Sequence, residues 1–587
     1  MELDRILASP GFARNERLGR FLRFVVQQKL QGKLAELKET VIGVEVFERA
    51  PGYDTRSDAV VRMEAGKLRA RLAEYYSGLG AHDPVRIEIP KGGYIPEWQM
   101  DGKVRGLPGW KWGIVIAVAL CLVFAGITTG RWTRTRAKQT IAVLPFLNLS
   151  PEPGNEYFSD GLTEEITQLL SVVNGLEVTS RTSSFAVKGM RLSAREIGQR
   201  LNATVLLEGS VRKSGDQLRI TAQLIRAADG KYLWSNTYDR EMRSVFTIQE
   251  QIAASIVNAL RLRLGGGQRR YSENVEAYQL YLRGRQALTE IQPRLALDDF
   301  EKTVAMDSGY ALAHSGVADA FLIMEAQHLL PHTDAFPHAE AAAQKALELD
   351  PMLSEAHTAL AEISVREYRW NQAERSFRRA LELNPNNAVA HLQLGAFLLV
   401  PLGRFDEGIR EVRRALALDP LSLEANHLLA NSLLLAGRYR ETVTHARKGI
   451  ALDPNHREAR DFMARALSLQ QNQAEALAVA REIPRYPEGP ESCWLACVCA
   501  RAGRRGEALQ ILQENVNADR LKPVPNRRLL ILYGCLGDKE RAFEYLEKMF
   551  AEREPWLPFY LMYPELAWLR TDPRFDTLLR KVGLPPP

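Results

Sequence analysis

The chain has 587 residues, 46% of them hydrophobic and 25% charged, with a formal net charge of +6. That length exceeds what one hydrophobic core organises and predicts several domains. So small a charge does not by itself point to nucleic acid, and five cysteines lay out no disulfide framework. Residues 1–99 read as the first unit. Leu18, Phe21, Leu22, Val25 and Val26 make a helical stripe within Asn15–Gln31, and a second short helix fits Glu39–Phe47. Pro51-Gly52 breaks it, and Ser57 or Asp58 caps a long helix through Tyr76 with an inner stripe of Val61, Ala65, Leu68, Leu72 and Tyr75. Val85–Ile89 and Tyr94–Trp98 then read as two strands about a Lys91-Gly92-Gly93 turn. Three helices and a C-terminal hairpin is the order of a winged helix. Arg62, Lys67, Arg69 and Arg71 lie on the long helix with Arg56 before it, and Arg86 and Lys91 on the hairpin. Arg62, Gly66, Arg69 and Ala73 share one face. Small residues beside arginines permit close approach to a DNA groove, and guanidinium groups reach phosphates or guanine edges.

Residues 100–112 read as a linker, and 113–130, GIVIAVALCLVFAGITTG, carry no charge across eighteen residues. Flanked by Trp110, Trp112 and Trp132, this stretch is long enough for one membrane-spanning helix. Flanking charge does not settle its orientation: Lys103, Arg105 and Lys111 precede it, and Arg131, Arg134, Arg136 and Lys138 follow. The N-terminus is placed in the cytoplasm, because the first hundred residues would fold before the span is made.

Residues 139–264 read as a mixed α/β domain. Strands are expected at Ile141–Phe146, Leu176–Ser180, Thr204–Arg212, Leu218–Arg226 and Tyr232–Tyr238. Helices are expected at Tyr157–Val172, at a capping box from Ser193 to Glu196 running through Leu201, and at Val245–Leu264. Asp160, Glu164 and Glu165 read as acids near a helix start rather than as a catalytic cluster. Gly265-Gly266-Gly267 lacks the Lys-Ser/Thr of a phosphate loop and reads as a hinge within a linker, 265–273.

Residues 274–587 repeat. Helix-ending prolines at Pro351, Pro385, Pro420 and Pro454 are spaced by 34, 35 and 34 residues, the tetratricopeptide period. Ala373, Phe377 and Ala380, then Gly408, Val412 and Ala415, hold the pattern within units, which predicts about seven or eight stacked helical pairs. His314, His357, His391 and His427 recur at matching positions and read as structural. Cys493, Cys497 and Cys499 in CWLACVC read as helix core, not as a metal site.

Several runs carry family resemblances. RLGRFLRFVV, IGVEVFERAPGYDTRSDAVVR and PKGGYIPEW resemble N-terminal domains of bacterial membrane proteins, and beyond them OmpR/PhoB-type winged helices, although the small sheet that opens OmpR-type domains is missing. IAVLPFLNLSPEPGNEYFSDGLTEEI, VLLEGSVRKSGDQLRITAQLI and YLWSNTYDRE resemble a TolB/FlgO-like domain, and WLRTDPRFDTLLRKVGLP resembles the C-terminal cap of a repeat array. The whole resembles the CadC/ToxR plan. The resemblance implies a multidomain, mainly α protein: winged helix, one transmembrane helix, mixed α/β domain and tetratricopeptide α-solenoid. It implies a membrane-anchored transcriptional regulator of the bacterial inner membrane, with a cytoplasmic N-terminus and an external C-terminal region.

Under that reading Arg62, Lys67, Arg69, Arg71 and Lys91 contact promoter DNA, the repeats take protein or peptide partners, and two copies pair as a homodimer. A membrane-anchored scaffold without DNA binding is the alternative. Relatives of this architecture are sometimes labelled adenylate cyclases because some carry a cyclase domain. Every segment here is otherwise assigned, so the sequence predicts no enzyme: no catalytic residue, cofactor or metal.

Overall fold

The computed structural model describes residues 2–100, 139–260, 274–484 and 492–586, except 14, 34–35, 56, 82, 84, 151–154, 174, 328 and 522–523. Arg56, the first linker beyond Met100, the second linker with its hinge glycines and the apolar stretch 113–130 lie outside the described residues. The chain divides into two compact units, Met1–Thr133 and Arg134–Pro587.

In the first unit, α1 (Glu2–Ala8) and α2 (Pro10–Ala13) precede α3 (Glu16–Leu30), α4 (Glu39–Glu45) and α5 (Val60–Ser77). The Asn15 side chain caps α3, accepting from Leu18 N–H at 3.2 Å. The Asp58 carboxylate accepts from Val60 N–H at 3.0 Å, so of the two expected caps of α5 this residue fills the role. The α5 stripe Val61, Ala65, Leu68, Leu72 and Tyr75 is buried against the α3 stripe in one core. The two N-terminal helices were not expected; their anchors Ile6 and Phe12 are too widely spaced to make a periodic pattern. Strands β1 (Val85–Glu88) and β2 (Glu97–Met100) pair antiparallel; β1 falls where expected, while β2 begins at Glu97 rather than Tyr94. Pro90 and Pro96 cannot donate to a ladder, so pairing stops at Glu88↔Glu97.

In the second unit, one sheet has the order β5-β3-β6-β7-β8, with a short β4 also on β6. The strands are β3 (Gln139–Val143), β4 (Leu147–Asn148), β5 (Leu176–Val178), β6 (Val205–Ser214), β7 (Gln217–Arg226) and β8 (Tyr232–Glu241). β3 runs parallel to β5 and β6; β6, β7 and β8 are antiparallel. The continuous apolar run IAVL follows from burial on both faces. Ile141 and Val143 enter one cluster with α6 (Glu156–Ser171) and α9 (Val245–Ala259). Ala142 and Leu144 enter another with the residues around α7 (Arg181–Ala186) and α8 (Ala194–Arg200). The expected capping box opens α8: Ser193 N–H donates to Glu196 Oε2 at 2.8 Å, and Glu196 N–H to Ser193 Oγ at 3.3 Å.

Eight helical pairs follow among the described residues, from Val275–Thr289 with Pro293–Met306 to Asn526–Leu536 with Lys539–Ala551. First helices pack on the first helices of neighbouring pairs and so form one continuous layer. Close approach sets some residues: a Cβ on Gly395 would lie 2.6 Å from Gly408 O. A cap of Leu557–Tyr560, a 3₁₀ segment Pro564–Thr571 and Pro573–Val582 ends the array. CWLACVC is helix core as expected, but Cys497 forms a disulfide with Cys535 on the next first helix, Cα–Cα 5.2 Å, which the spacing in sequence did not suggest.

The expected membrane topology is corrected. Among the described residues no helix is long and apolar enough to cross a membrane. The longest, α5 and His332–Leu349 at 18 residues each, carry charges on their exposed sides, such as Arg62 and Lys67 or Lys345 and Glu348. A single-pass inner-membrane placement therefore has no support in the described helices.

Candidate functional site

Two surfaces concentrate chemistry. The first is the outer side of α5 with the hairpin turn. Arg62, Met63, Gly66, Lys67 and Ala70 are exposed there, one turn after another, opposite the buried stripe. A Cβ on Gly66 would meet nothing within 4 Å, so this face is open. The five expected basic residues differ in their engagement. Arg62 pairs with Glu39 at 3.1 Å and donates to Thr55 O, yet its side chain stays 52% exposed. Glu39 in turn touches Tyr94, whose hydroxyl is pushed up to about 12 by burial and this carboxylate. Lys67 pairs with Glu64 at 2.9 Å and Arg71 with Glu74 at 2.7 Å, both within α5. Lys91 is exposed at the turn.

Arg69 is different. Its Nε donates to Ile89 O and its Nη2 to Pro90 O and Gly93 O, each at 2.9 Å. The planar fork therefore ties the hairpin turn to α5, and Arg69 is a positioning residue rather than an open cation. Arg69→Ala is expected to lower the stability of the first unit by about 1–2 kcal/mol. It should also raise hydrogen exchange across residues 89–96, while Arg69→Lys restores only part of the protection. Unchanged exchange in Arg69→Ala would refute this positioning role.

The second surface is the inner layer of the repeats, and much of it is occupied by the chain itself. At its N-terminal end α6 packs on Val275–Thr289. Glu164 accepts from Arg285 Nε at 2.9 Å and pairs with Arg181 at 3.1 Å, and Gln249 Nε2 donates to Tyr278 OH at 2.6 Å. A Cβ on Gly161 would lie 2.5 Å from the Leu282 methyls, which explains this glycine in mid-helix. Glu164 and Glu165 thus belong to a domain contact, whereas Asp160 pairs with Lys188 at 2.7 Å within the α/β domain. Asn386 Nδ2 donates to Ser171 O at 2.6 Å and Leu176 O at 3.0 Å, and its Oδ1 accepts from Val178 N–H at 3.4 Å. Leu418 O accepts from Ser180 N–H at 2.7 Å, and Arg414 pairs with Glu177 at 2.6 Å. The turns after LELNP and LALDP therefore dock the sheet. The available signal was LELNPNN, whose asparagines depart from the aspartate of the sister turns.

At the other end the cap fills the layer. Tyr563 OH donates to Asn431 at 3.1 Å, Trp568 Nε1 to Gly534 O at 3.1 Å, and Trp370 Nε1 to Val582 O at 2.8 Å. His427 stacks on Phe462 and lies tilted beside Trp556, and burial holds its imidazole down to about 4. His314, His357 and His391 act as expected, each placing Nε2 within 3.1–3.2 Å of the carbonyl six residues earlier.

Carboxylates mark the remaining inner layer. Glu165 is raised to about 8 by burial and by Glu164 and Glu355, against the pull of Arg285. Asp319 is raised to about 7 by burial and by Glu362 and Glu355, against Arg285. An acid whose folded pKa is raised costs stability as pH climbs from its unfolded pKa to its folded one. The second unit should therefore lose stability between about pH 5 and pH 8. Glu165→Gln should flatten that decline in denaturation midpoints; an unchanged decline would contradict the assignment. Among the described residues no group of three or more His, Cys, Asp or Glu is placed to hold a metal ion.

Comparison with known proteins bears on the second unit. Residues 137–255 match the family model described as HilA/YgeH-like transcriptional regulator, second domain, where the sequence resembled TolB/FlgO. Residues 364–432 match a tetratricopeptide repeat model. "Putative adenylate cyclase 3" of Rhizobium meliloti (strain 1021) is 39% identical over 190 residues, 31% of this chain, and the chain spans only 32% of that protein. This match overturns the expectation that the chain is no enzyme, because that expectation excluded an activity that a similar protein's name carries. Solved structures with likeness include YrrB, titled a TPR protein with an unusual peptide-binding site, at 19% identity and TM-score 0.27, over 36% of this chain and 97% of that one. Pseudomonas aeruginosa pilF stands at 19% and 0.27, over 44% and 98%. Human IFIT1 stands at 16% and 0.33, over 53% and 78%. The chain thus carries a HilA/YgeH-like second domain and tetratricopeptide repeats.

Proposed function

We propose that the chain is a transcriptional regulator in which residues 1–99 form a winged helix that binds promoter DNA and the repeats take a protein or peptide partner. The observation that carries this reading is the open face of α5, where Arg62, Gly66, Lys67 and Ala70 follow one another beside a turn that presents Lys91. The HilA/YgeH-like match at 137–255 supports a regulator. In this reading α5 enters the major groove, since small residues admit the helix and its cations reach phosphates. Arg62, Lys67 and Lys91 make the contacts, Arg71 adds charge at the far end, and Arg69 acts by fixing the turn. With the later part of the inner repeat layer covered by the cap, the partner docks on the acidic part around Asp319 and Glu362, which favours a basic segment. One winged helix holds DNA weakly; two copies on two half-sites hold it far more tightly.

The test is a salt titration of duplex binding. For every phosphate left without its cation, the slope of log K against log salt should flatten by about 0.9. Neutralising Arg62, Lys67 and Lys91 together should flatten it by about 2–3 in the full chain. A slope identical to wild type would remove these residues from the interface.

A further inference from the structure

The sheet of the second unit has two edges, and the chain treats them differently. At β5 the Asn386 amide imitates a neighbouring strand, donating to Leu176 O and accepting from Val178 N–H. At β8, among the described residues, no strand pairs beyond β7; local side chains reach the edge, Asn236 Oδ1 accepting from Thr237 N–H at 3.0 Å and Arg240 Nη1 donating to Asp239 O at 2.8 Å, contacts that an added strand would replace. Long bare edges are templates for another strand, which proteins ordinarily cover or interrupt.

The geometry of this edge can be worked out. Met242 N–H donates to Asp216 O at 2.8 Å, directly after the pair Gln217↔Glu241. Antiparallel bonding alternates, so the N–H and C=O of Glu241, Asp239, Thr237 and Ser235 point away from β7. The irregularity between Leu224 and Ile225 ends the regular run at Trp234. Along Ser235–Glu241 every residue except Tyr238 is exposed, and Tyr232 just before the run is 64% exposed.

We propose that β8 is the dimerisation edge of this protein and that its occupant is β8 of a second copy, antiparallel and centred on Tyr238. This register lays the regular run on itself in full. Thr237 then faces Asp239 and Ser235 faces Glu241 of the other copy, each a hydroxyl donor against a carboxylate, while Asn236 faces Arg240. No like charges stand directly opposite, and the outward backbone groups of one copy meet those of the other in bonded pairs. The result is one continuous sheet across a two-fold axis, a closed and self-complementary contact. The inference is independent of DNA: it concerns the second unit, and its test contains no DNA.

The experiment mixes two full-length variants, Ser235→Cys and Glu241→Cys, under mild oxidation. Opposed residues of a bonded antiparallel pair have Cα atoms about 5.5 Å apart, within disulfide reach. The mixture should yield a covalent dimer, while either variant alone should give no more than wild type, because each new cysteine lies far from its own symmetry mate. Sedimentation supplies the second readout. Thr237→Pro deletes an N–H that the β7 ladder does not use, and should shift the chain from dimer to monomer. A mixture no more cross-linked than its components, or a wild type monomeric at every concentration, would overturn the proposal. Should Thr237→Pro misfold, the cross-linking still decides.

Discussion

Replacing Glu565 with alanine should lower the stability of the second unit by about 3–5 kcal/mol. The substitution strands the Arg465 guanidinium, whose side chain is 1% exposed. In the native protein the pair is bidentate, Nε to Oε1 at 2.7 Å and Nη2 to Oε2 at 3.1 Å. The guanidinium carbon sits 3.6 Å from the Trp494 ring centre and 4.0 Å from that of Tyr563. With the carboxylate gone, the buried guanidinium loses both of these charged hydrogen bonds, so its desolvation cost falls largely on the folded state. Removing both charges as Arg465→Met with Glu565→Leu should cost much less than Glu565→Ala alone, because burial without charge carries no such penalty. Urea unfolding followed by tryptophan fluorescence measures this. A Glu565→Ala midpoint equal to wild type would mean that the cap does not depend on the pair.

Glu164→Ala should have the next largest effect, about 3 kcal/mol. It leaves Arg285 and Arg181, 25% and 18% exposed, facing each other without their shared carboxylate. Burial by itself would raise the Glu164 carboxyl, but the two arginines outweigh it and hold the group below the usual range. A lowered folded pKa gives stability that is present above the unfolded value and lost as pH falls through the folded one. The gap between wild type and Glu164→Ala should therefore close below about pH 4, the opposite direction to its neighbour Glu165. Hydrogen exchange should rise along β5 and at Ser180–Ser183, where the sheet meets the repeats, and stay unchanged in α3 and α5. Exchange rising equally everywhere would deny Glu164 a local docking role.

The elements were largely legible in the sequence because their patterns are local. The stripes of α3 and α5, the capping box at Ser193 and the 34-residue proline spacing each state their structure within a few turns of chain. What could not be read is long-range. Arg69 looks like any basic residue on a helix, and only the folded hairpin shows its fork holding Ile89, Pro90 and Gly93. Arg465 and Glu565 are 100 residues apart and nothing in either segment announces the other. Asn386 fits a turn by composition, and its second role as an edge cap appears only when β5 lies beside it. Glu164 reads as an acid near a helix start until Arg285 and Arg181 are seen to converge on it. The apolar stretch 113–130 lies outside the described residues, among which no helix is long and apolar enough to cross a membrane.

The measurement that tests the central claim most directly is selection of a random duplex pool on the full chain, beside a variant with Arg62, Lys67 and Lys91 neutralised. The account predicts an enriched motif of two half-sites one helical turn apart, with enrichment abolished in the variant. No enrichment, or the same weak salt-sensitive binding to every sequence by both proteins, would contradict it.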